Sequence, residues 1–247
     1  MSMIVARAAF DPAVPAMMTL VGTPGGSPAM SFDSGNSAHH VYSGVDHAGL
    51  MGTLPAFGTT NTIDNTIATT DAAHNTTSSP ASAIVTLPAF LQTPALTRAF
   101  LDGMKQAAMT GAALATPTAT YLPSGGSGNP TGFTFVNGDY TMGSGSGSGL
   151  LIVTGELTTN GSTDFNGLIY VLGTGAINRN GGGGGAFYGA TFVATVDWPA
   201  QNPALADFGA PFFNFNGAGN ATMQYDSAAV ANALSLLPAP VLGVCEY

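Results

Sequence analysis

The sequence predicts a mainly β protein: a parallel β-helix (β-solenoid) in the C-terminal half, accompanied by short strands and one or two packing or capping helices. Three observations point there. First, 20 glycines fall between positions 122 and 190, spaced by β-rich apolar runs. Second, three of those runs align. They are Phe133–Met142, Leu150–Thr159 and Leu168–Ile177, whose shared glycines Gly138, Gly155 and Gly173 lie 17 and 18 residues apart. Third, each run pairs Val, Ile, Leu or Phe with a Gly/Asn segment, the composition of one coil that cannot bury its own face and must stack on a neighbour. A meander of antiparallel hairpins is the alternative, but hairpins would not require the repeat to keep its phase. Weaker copies follow at Ala190–Ala194 and Phe212–Gly217.

Two regions are predicted, packed as one body: residues 1–120, irregular and ending in a helix, and residues 121–247, the Gly-rich solenoid with a C-terminal capping helix. In the first, Thr19–Gly22 and Ala29–Phe32 read as strands around the turn Thr23–Pro28, with further short strands at Val41–Ser43 and Ala83–Leu87. Positions 59–79 form a Thr/Asn/Asp/Ser tract that reads as an exposed loop. Thr93 is placed to N-cap a helix with Pro94 at its first position, where a missing N–H costs nothing. Leu96, Phe100, Met104 and Ala107/Ala108 then recur at helical spacing, Gly111 and Pro117 bracket the stop, and Arg98 and Asp102 stand four apart as a helix pair. The last element is a helix after Asp226-Ser227, with Val230, Leu234 and Leu237 on its apolar stripe and Pro238 as its stop. Either helix is expected to cover a solenoid flank.

Charge excludes several functions. Of 247 residues only 7% are charged, and four basic residues against thirteen acidic ones give a net charge of −9. A nucleic-acid binder needs clustered basic residues to displace counterions, and anionic lipid requires the same. One cysteine, Cys245, makes neither an internal disulfide nor a cysteine zinc site. No run reaches the roughly 18 apolar residues of a membrane span. The opening Met1–Phe10 has no signal-peptide pattern and starts on an apolar segment, as a piece of a longer chain would. The neutral Gly/Thr/Asn/Ser composition fits an extracytoplasmic location.

Few residues carry candidate chemistry. His40, Asp46 and His47, beside His39, are the densest set of metal-ligand types, although His39 and His40 in a strand would point to opposite faces. Asp139 and Glu156 each follow a repeat glycine, so stacked coils would bring them together as a Ca²⁺ site or an acid/base pair, with Thr174 breaking the ladder at the next coil. For both sets the favoured reading is structural, with no cofactor and Ca²⁺ the one candidate metal. Asn216–Asn220 lacks the aspartate of a Ca²⁺-binding nonapeptide, because Ala221 stands where it would be. Gly181–Gly185 lacks acidic partners, and no serine lies in a nucleophile elbow. Trp198, Phe187, Tyr188 and Tyr170 could form a sugar-stacking patch, but core packing is their commoner fate. No set of residues assembles a catalytic centre, and the chain reads as non-enzymatic.

Beyond residue chemistry, the sequence resembles the extracytoplasmic part of PilX-type pilus assembly proteins, associated with bacterial type IV pili. The likeness runs through Ala6–Phe10, Leu20–Gly22, Phe32–Ser37, Tyr42–Asp46 and Thr93–Leu96. It is strongest at Leu150–Thr158 and Phe165–Val171, and continues at Asn216–Asp226 and Pro240–Gly243. The resemblance implies a pilus-associated structural or adhesive protein of the cell surface or periplasm, partnered by other pilus or cell-surface proteins and anchored by an N-terminal apolar helix. The alternative function is a carbohydrate-binding or carbohydrate-cleaving β-helix protein, with glycans as partners.

Overall fold

The computed structural model describes residues 13–113, 119–201, 203–216 and 219–237. Cys245, the proline stops at 117 and 238, the opening decapeptide and the Gly217–Ala218 step lie outside them.

The protein is mainly β. The first stretch contributes β1 (Met18–Val21), β2 (Ser31–Asp33), β3 (His40–Ser43), β4 (Phe57–Thr59), helix α1 (Thr62–Ala72), β5 (Thr76–Thr77), β6 (Ser82–Ile84) and helix α2 (Pro94–Ala113). The second contributes β7 (Ala119–Leu122), β8 (Gly126–Gly128), β9 (Thr131–Val136), β10 (Tyr140–Met142), β11 (Gly145–Val153), β12 (Glu156–Asn160), β13 (Thr163–Gly173) and β14 (Ala176–Asn180). It closes with β15 (Gly185–Thr195), β16 (Phe212–Asn214), β17 (Ala221–Tyr225) and helix α3 (Ser227–Ser235). Two sheets result, and every strand-to-strand pairing in them is parallel. The larger runs β5-β3-β17-β15-β13-β11-β9-β7, with β1, β4 and β6 continuing from the far half of β15. The smaller runs β2-β16-β14-β12-β10-β8.

From β9 to β16 the chain steps alternately between the two sheets, and the register follows the sequence repeat. Phe133, Leu150, Leu168 and Ala190 share one column. Val136, Val153, Val171 and Val193 share another, which Leu20 of β1 extends. All five of the latter are buried, so each rung covers the apolar side chain of the next. The copy at Phe212–Asn214 pairs with Ala176–Asn178 and therefore belongs to the smaller sheet, repeating the second half of the motif and not its first.

Residues 18–84 are not a separate irregular region. β1 continues the larger sheet from β15 and β2 continues the smaller from β16, after which β3 to β6 add the outermost strands. The chain thus enters at the middle of the sheets, builds to one edge, crosses to the opposite edge and builds back. α2 makes the crossing. Its 20 residues span about 30 Å at 1.5 Å per residue, close to the roughly 34 Å of the strand spacings between β6 and β7.

α2 also explains why the Val-rich half of the larger sheet is buried on both faces. Phe100 of α2 and Phe90, in the short helical turn Ala89–Leu91 that leads into it, pack on Tyr170 at 5.5 Å, and Phe90 reaches Phe192 at 6.1 Å. The buried stripe of α2 is Thr97, Leu101 and Ala108 with Phe100, whereas Leu96 is 46% exposed and turns outward. Gly111 lies within the helix, which runs on to Ala113. α3 packs on β11, β13 and β15, and Asp226 caps it by accepting from the Ala229 amide at 2.8 Å. Both helices thus cover flanks of the larger sheet.

The Thr/Asn tract is a helix, contrary to expectation. Asn61 caps α1 by accepting from the Asp64 amide, and Thr66 and Thr69 turn their hydroxyls back to the Thr62 and Asn65 carbonyls, so polar residues that usually disfavour helix are satisfied within it. Asp64 is buried, accepting the Met30 amide at 2.9 Å, and Ala68 and Ala72 provide the buried face.

Candidate functional site

The structure does not bring the predicted metal ligands together. His40 opens β3 with its ring in the core, 0% exposed. Its Nδ1 lies 2.8 Å from the Ser34 carbonyl oxygen, so Nδ1 carries the proton and donates. Its ring stands edge-on to Tyr42. His39 lies in the turn just before β3 and is exposed. His47 stacks on Tyr188 with ring centroids 4.4 Å apart. Among the described residues no three His, Cys, Asp or Glu side chains form a metal-sized group.

Asp46 has a different task. One carboxylate oxygen accepts from the amides of Ala48 at 3.3 Å and Ser227 at 2.8 Å. The other accepts from the amides of Leu50 and Met51, both at 2.8 Å, and from the Ser227 hydroxyl at 2.7 Å. Five donors from two distant segments tie the loop after β3 to the start of α3. Burial by itself would raise this carboxyl. The bonds from Ser227, then those from Met51 and Leu50, outweigh it and bring the pKa down to about 2. Because the folded-state pKa lies below the unfolded value near 3.9, the contribution to stability is present above about pH 4 and disappears as pH falls towards 2. Asp46→Ala is expected to cost about 3 kcal/mol at pH 7, and urea titration at pH 7 and pH 3 should show the gap to wild type narrowing in acid.

Asp139 and Glu156 are neighbours, but as a backbone connection. Asp139 Oδ1 accepts the Glu156 amide at 2.7 Å, and Glu156 Oε1 accepts from the Thr158 hydroxyl at 3.2 Å. The residue beyond Glu156 in register is Ala176, not Thr174, because β13 runs to Gly173 while β11 stops at Val153. The aromatic set is dispersed. Trp198 packs on Phe135 and donates its indole N–H to Asp102 of α2 at 2.9 Å, with the Lys105 ammonium 5.3 Å from its ring. Phe187 is in the core, Tyr170 lies beneath α2, and Tyr188 faces His47. Arg98 pairs with Asp197 and not with Asp102.

Sequence reasoning passed over Arg179. It alternates with Ile177 on the buried side of β14, and that period of two was the available signal. Its Nη2 donates to the carbonyl oxygens of Gly161, Gly183 and Asn220, clamping three stretches of backbone, and its guanidinium lies 5.8 Å from the Phe215 ring. Burial lowers its pKa, partly offset by Tyr42.

What remains open is the outer face of the smaller sheet. Burial alternates along β10, β12, β14 and β16, so Thr141, Thr158, Asn178 and Asn214 point outward, and the four stand in register. Asn160 and Asn180 form a parallel column, and Glu156, Ala176 and Phe212 a third. Helix packing falls on the larger sheet, apart from α1 against β2. The face is a flat array of amides and hydroxyls, repeating at about 4.8 Å, with Glu156 the one charged side chain in its β10–β16 part. Such a surface can form many weak, neutral hydrogen bonds. Comparison with family models, curated proteins and solved structures finds no significant match. Among the described residues no helix is long and apolar enough to cross a membrane.

Proposed function

We propose that the protein is a non-enzymatic structural or interaction module of the cell exterior, associated with type IV pili, and that its two parallel sheets are the walls of a single β-solenoid. The outward columns of β10, β12, β14 and β16 carry this reading. They present an ordered, almost uncharged plane, whose low charge keeps the desolvation cost of subunit contact small. The resemblance to PilX-type proteins supplies the pilus as the place where such contacts would be made.

An Arg placed in the middle of that plane tests the reading. Thr158→Arg and Asn178→Arg alter outward, half-buried positions and are expected to leave Tm within about 2 °C of wild type. Wild type, expressed from its full gene in the organism of origin, is expected to co-sediment with sheared pili, and the variants to lose most of that association. Wild type absent from the pilus fraction, or variants that sediment as wild type does, would overturn the proposal.

A further inference from the structure

We propose that the groove between α3 and strands β11 and β13 binds a neutral, linear oligosaccharide. The groove encloses about 490 Å³, within the range of small-molecule sites. Its floor is the bend of the larger sheet, where Gly149 leaves the backbone bare. Ser148 and Asn166 form one wall, and Asn232 and Ser235 of α3 lie on the other. An amide offers a donor and an acceptor and a hydroxyl does likewise, which matches a ligand whose surface is mostly hydroxyl. Among the described residues, no hydrogen bond engages the side chains of Ser148, Asn166 or Asn232. The lining has no basic residue, and its one carboxylate, Asp226, caps α3. A phosphate or uronate would therefore meet repulsion and no counterion.

The direction of the chain follows from the register. Ser148, Asn166 and Tyr188 are partners on successive strands β11, β13 and β15, so contacts recur every 4.8 Å or so across the strands. That advance is comparable with the rise per sugar of an extended glycan. Tyr188, half-buried and stacked on His47, stands one strand beyond Asn166 and outside the residues that line the groove. The inference is independent of the pilus reading, which rests on the other sheet.

Calorimetric titration of the full chain with cellohexaose, chitohexaose and mannohexaose tests it, with a hexagalacturonate as the anionic comparison. Saturable binding of at least one neutral hexamer is expected, with the anionic hexamer weaker. Asn166→Ala and Asn232→Ala should each weaken binding about tenfold, the loss of one hydrogen-bonding group, at unchanged Tm. Thr141→Ala on the smaller sheet should leave it as it is. Failure of all three neutral hexamers to bind at millimolar concentration would overturn the proposal. So would affinity that survives both asparagine variants, or an anionic hexamer that binds equally well.

Discussion

Gly189→Ala is expected to destabilise the protein by more than about 3 kcal/mol, a fall in Tm of about 10 °C for a chain of this size. Gly132, Gly149, Gly167 and Gly189 stand in one register column where the strands of the larger sheet bend. All four have positive φ, at 75°, 107°, 148° and 139°. In that conformation the Cβ of an L-residue swings out of the pleat towards the neighbouring strand. At Gly189 it would lie 1.7 Å from the Gly167 carbonyl oxygen, at Gly167 2.0 Å from that of Gly149, and at Gly149 2.2 Å from that of Gly132. The obstructing atoms are backbone, held in the parallel ladder, so no side-chain rotation relieves the clash. Gly189 is also partnered on its far side by Tyr225, which closes the other route of retreat. Two controls separate the causes. Gly181 has φ of 91° with nothing near its Cβ position, and Gly184 has open space. Gly181→Ala should therefore cost about 1–2 kcal/mol for the left-handed backbone alone, and Gly184→Ala almost nothing. Equal losses at 189 and 181, measured by urea unfolding, would mean that close approach between rungs does not hold this bend.

The same column shows why part of the fold could be read from the sequence. From β9 through β11 and β13 to β15 the register partners lie 17, 18 and 22 positions apart, so glycine and valine recur at a visible period. β1 pairs with β15 across more than 170 positions, Met18 opposite Thr191, and periodicity carries no trace of such a contact. β1 to β6 are two to four residues long, too short to show alternation. The regions of β1, β2, β3 and β6 were readable as strands, β4 and β5 were not, and none was readable as an additional rung. α1 was hidden for another reason: its threonines bond their own backbone, which composition alone assigns to a loop. The capped helices α2 and α3 announced themselves through Thr93-Pro94 and Asp226, because a cap is a local device.

The candidate residues divide along the same line. That Asp139 and Glu156 lie together followed from the repeat, since they are one coil apart. The partner of Asp46, Ser227, lies 181 residues away, and nothing near Asp46 identifies it. Arg98 and Asp102 look like an i, i+4 pair, yet each faces out from α2 to a loop nearly a hundred residues on. A helix pair that close in sequence contributes only about 0.3–0.5 kcal/mol, so a buried acceptor elsewhere outbids it.

Arg98→Ala is accordingly expected to cost about 3–5 kcal/mol, the penalty of leaving a buried charge without its partner. The side chain of Asp197 is 1% exposed and pairs with the Arg98 guanidinium, which also donates to the Leu205 carbonyl oxygen. The second carboxylate oxygen accepts the amides of Gln201 at 2.9 Å and Leu205 at 3.1 Å. Arg98 therefore fastens the crossing helix to the loop between β15 and β16. Burial pushes the Asp197 carboxyl up, but the two amides and then Arg98 more than offset it, leaving it below its ordinary value. A lowered folded-state pKa places this stabilisation above the unfolded value near 3.9, to be lost as pH falls through the folded one. In Arg98→Ala the carboxyl loses the cation, its pKa rises, and protonation relieves the buried charge at milder acidity. The difference between wild type and variant should therefore be largest near pH 7 and shrink by pH 3. Arg98→Met combined with Asp197→Asn removes both charges while keeping a group to accept the Gln201 and Leu205 amides, and should recover more than half of the loss. Urea unfolding of the three proteins at pH 7, 5 and 3 measures all of this. A pH-independent gap, or a double variant no more stable than Arg98→Ala, would show that α2 is held by the Phe90, Phe100 and Tyr170 contacts and not by the Arg98–Asp197 ion pair.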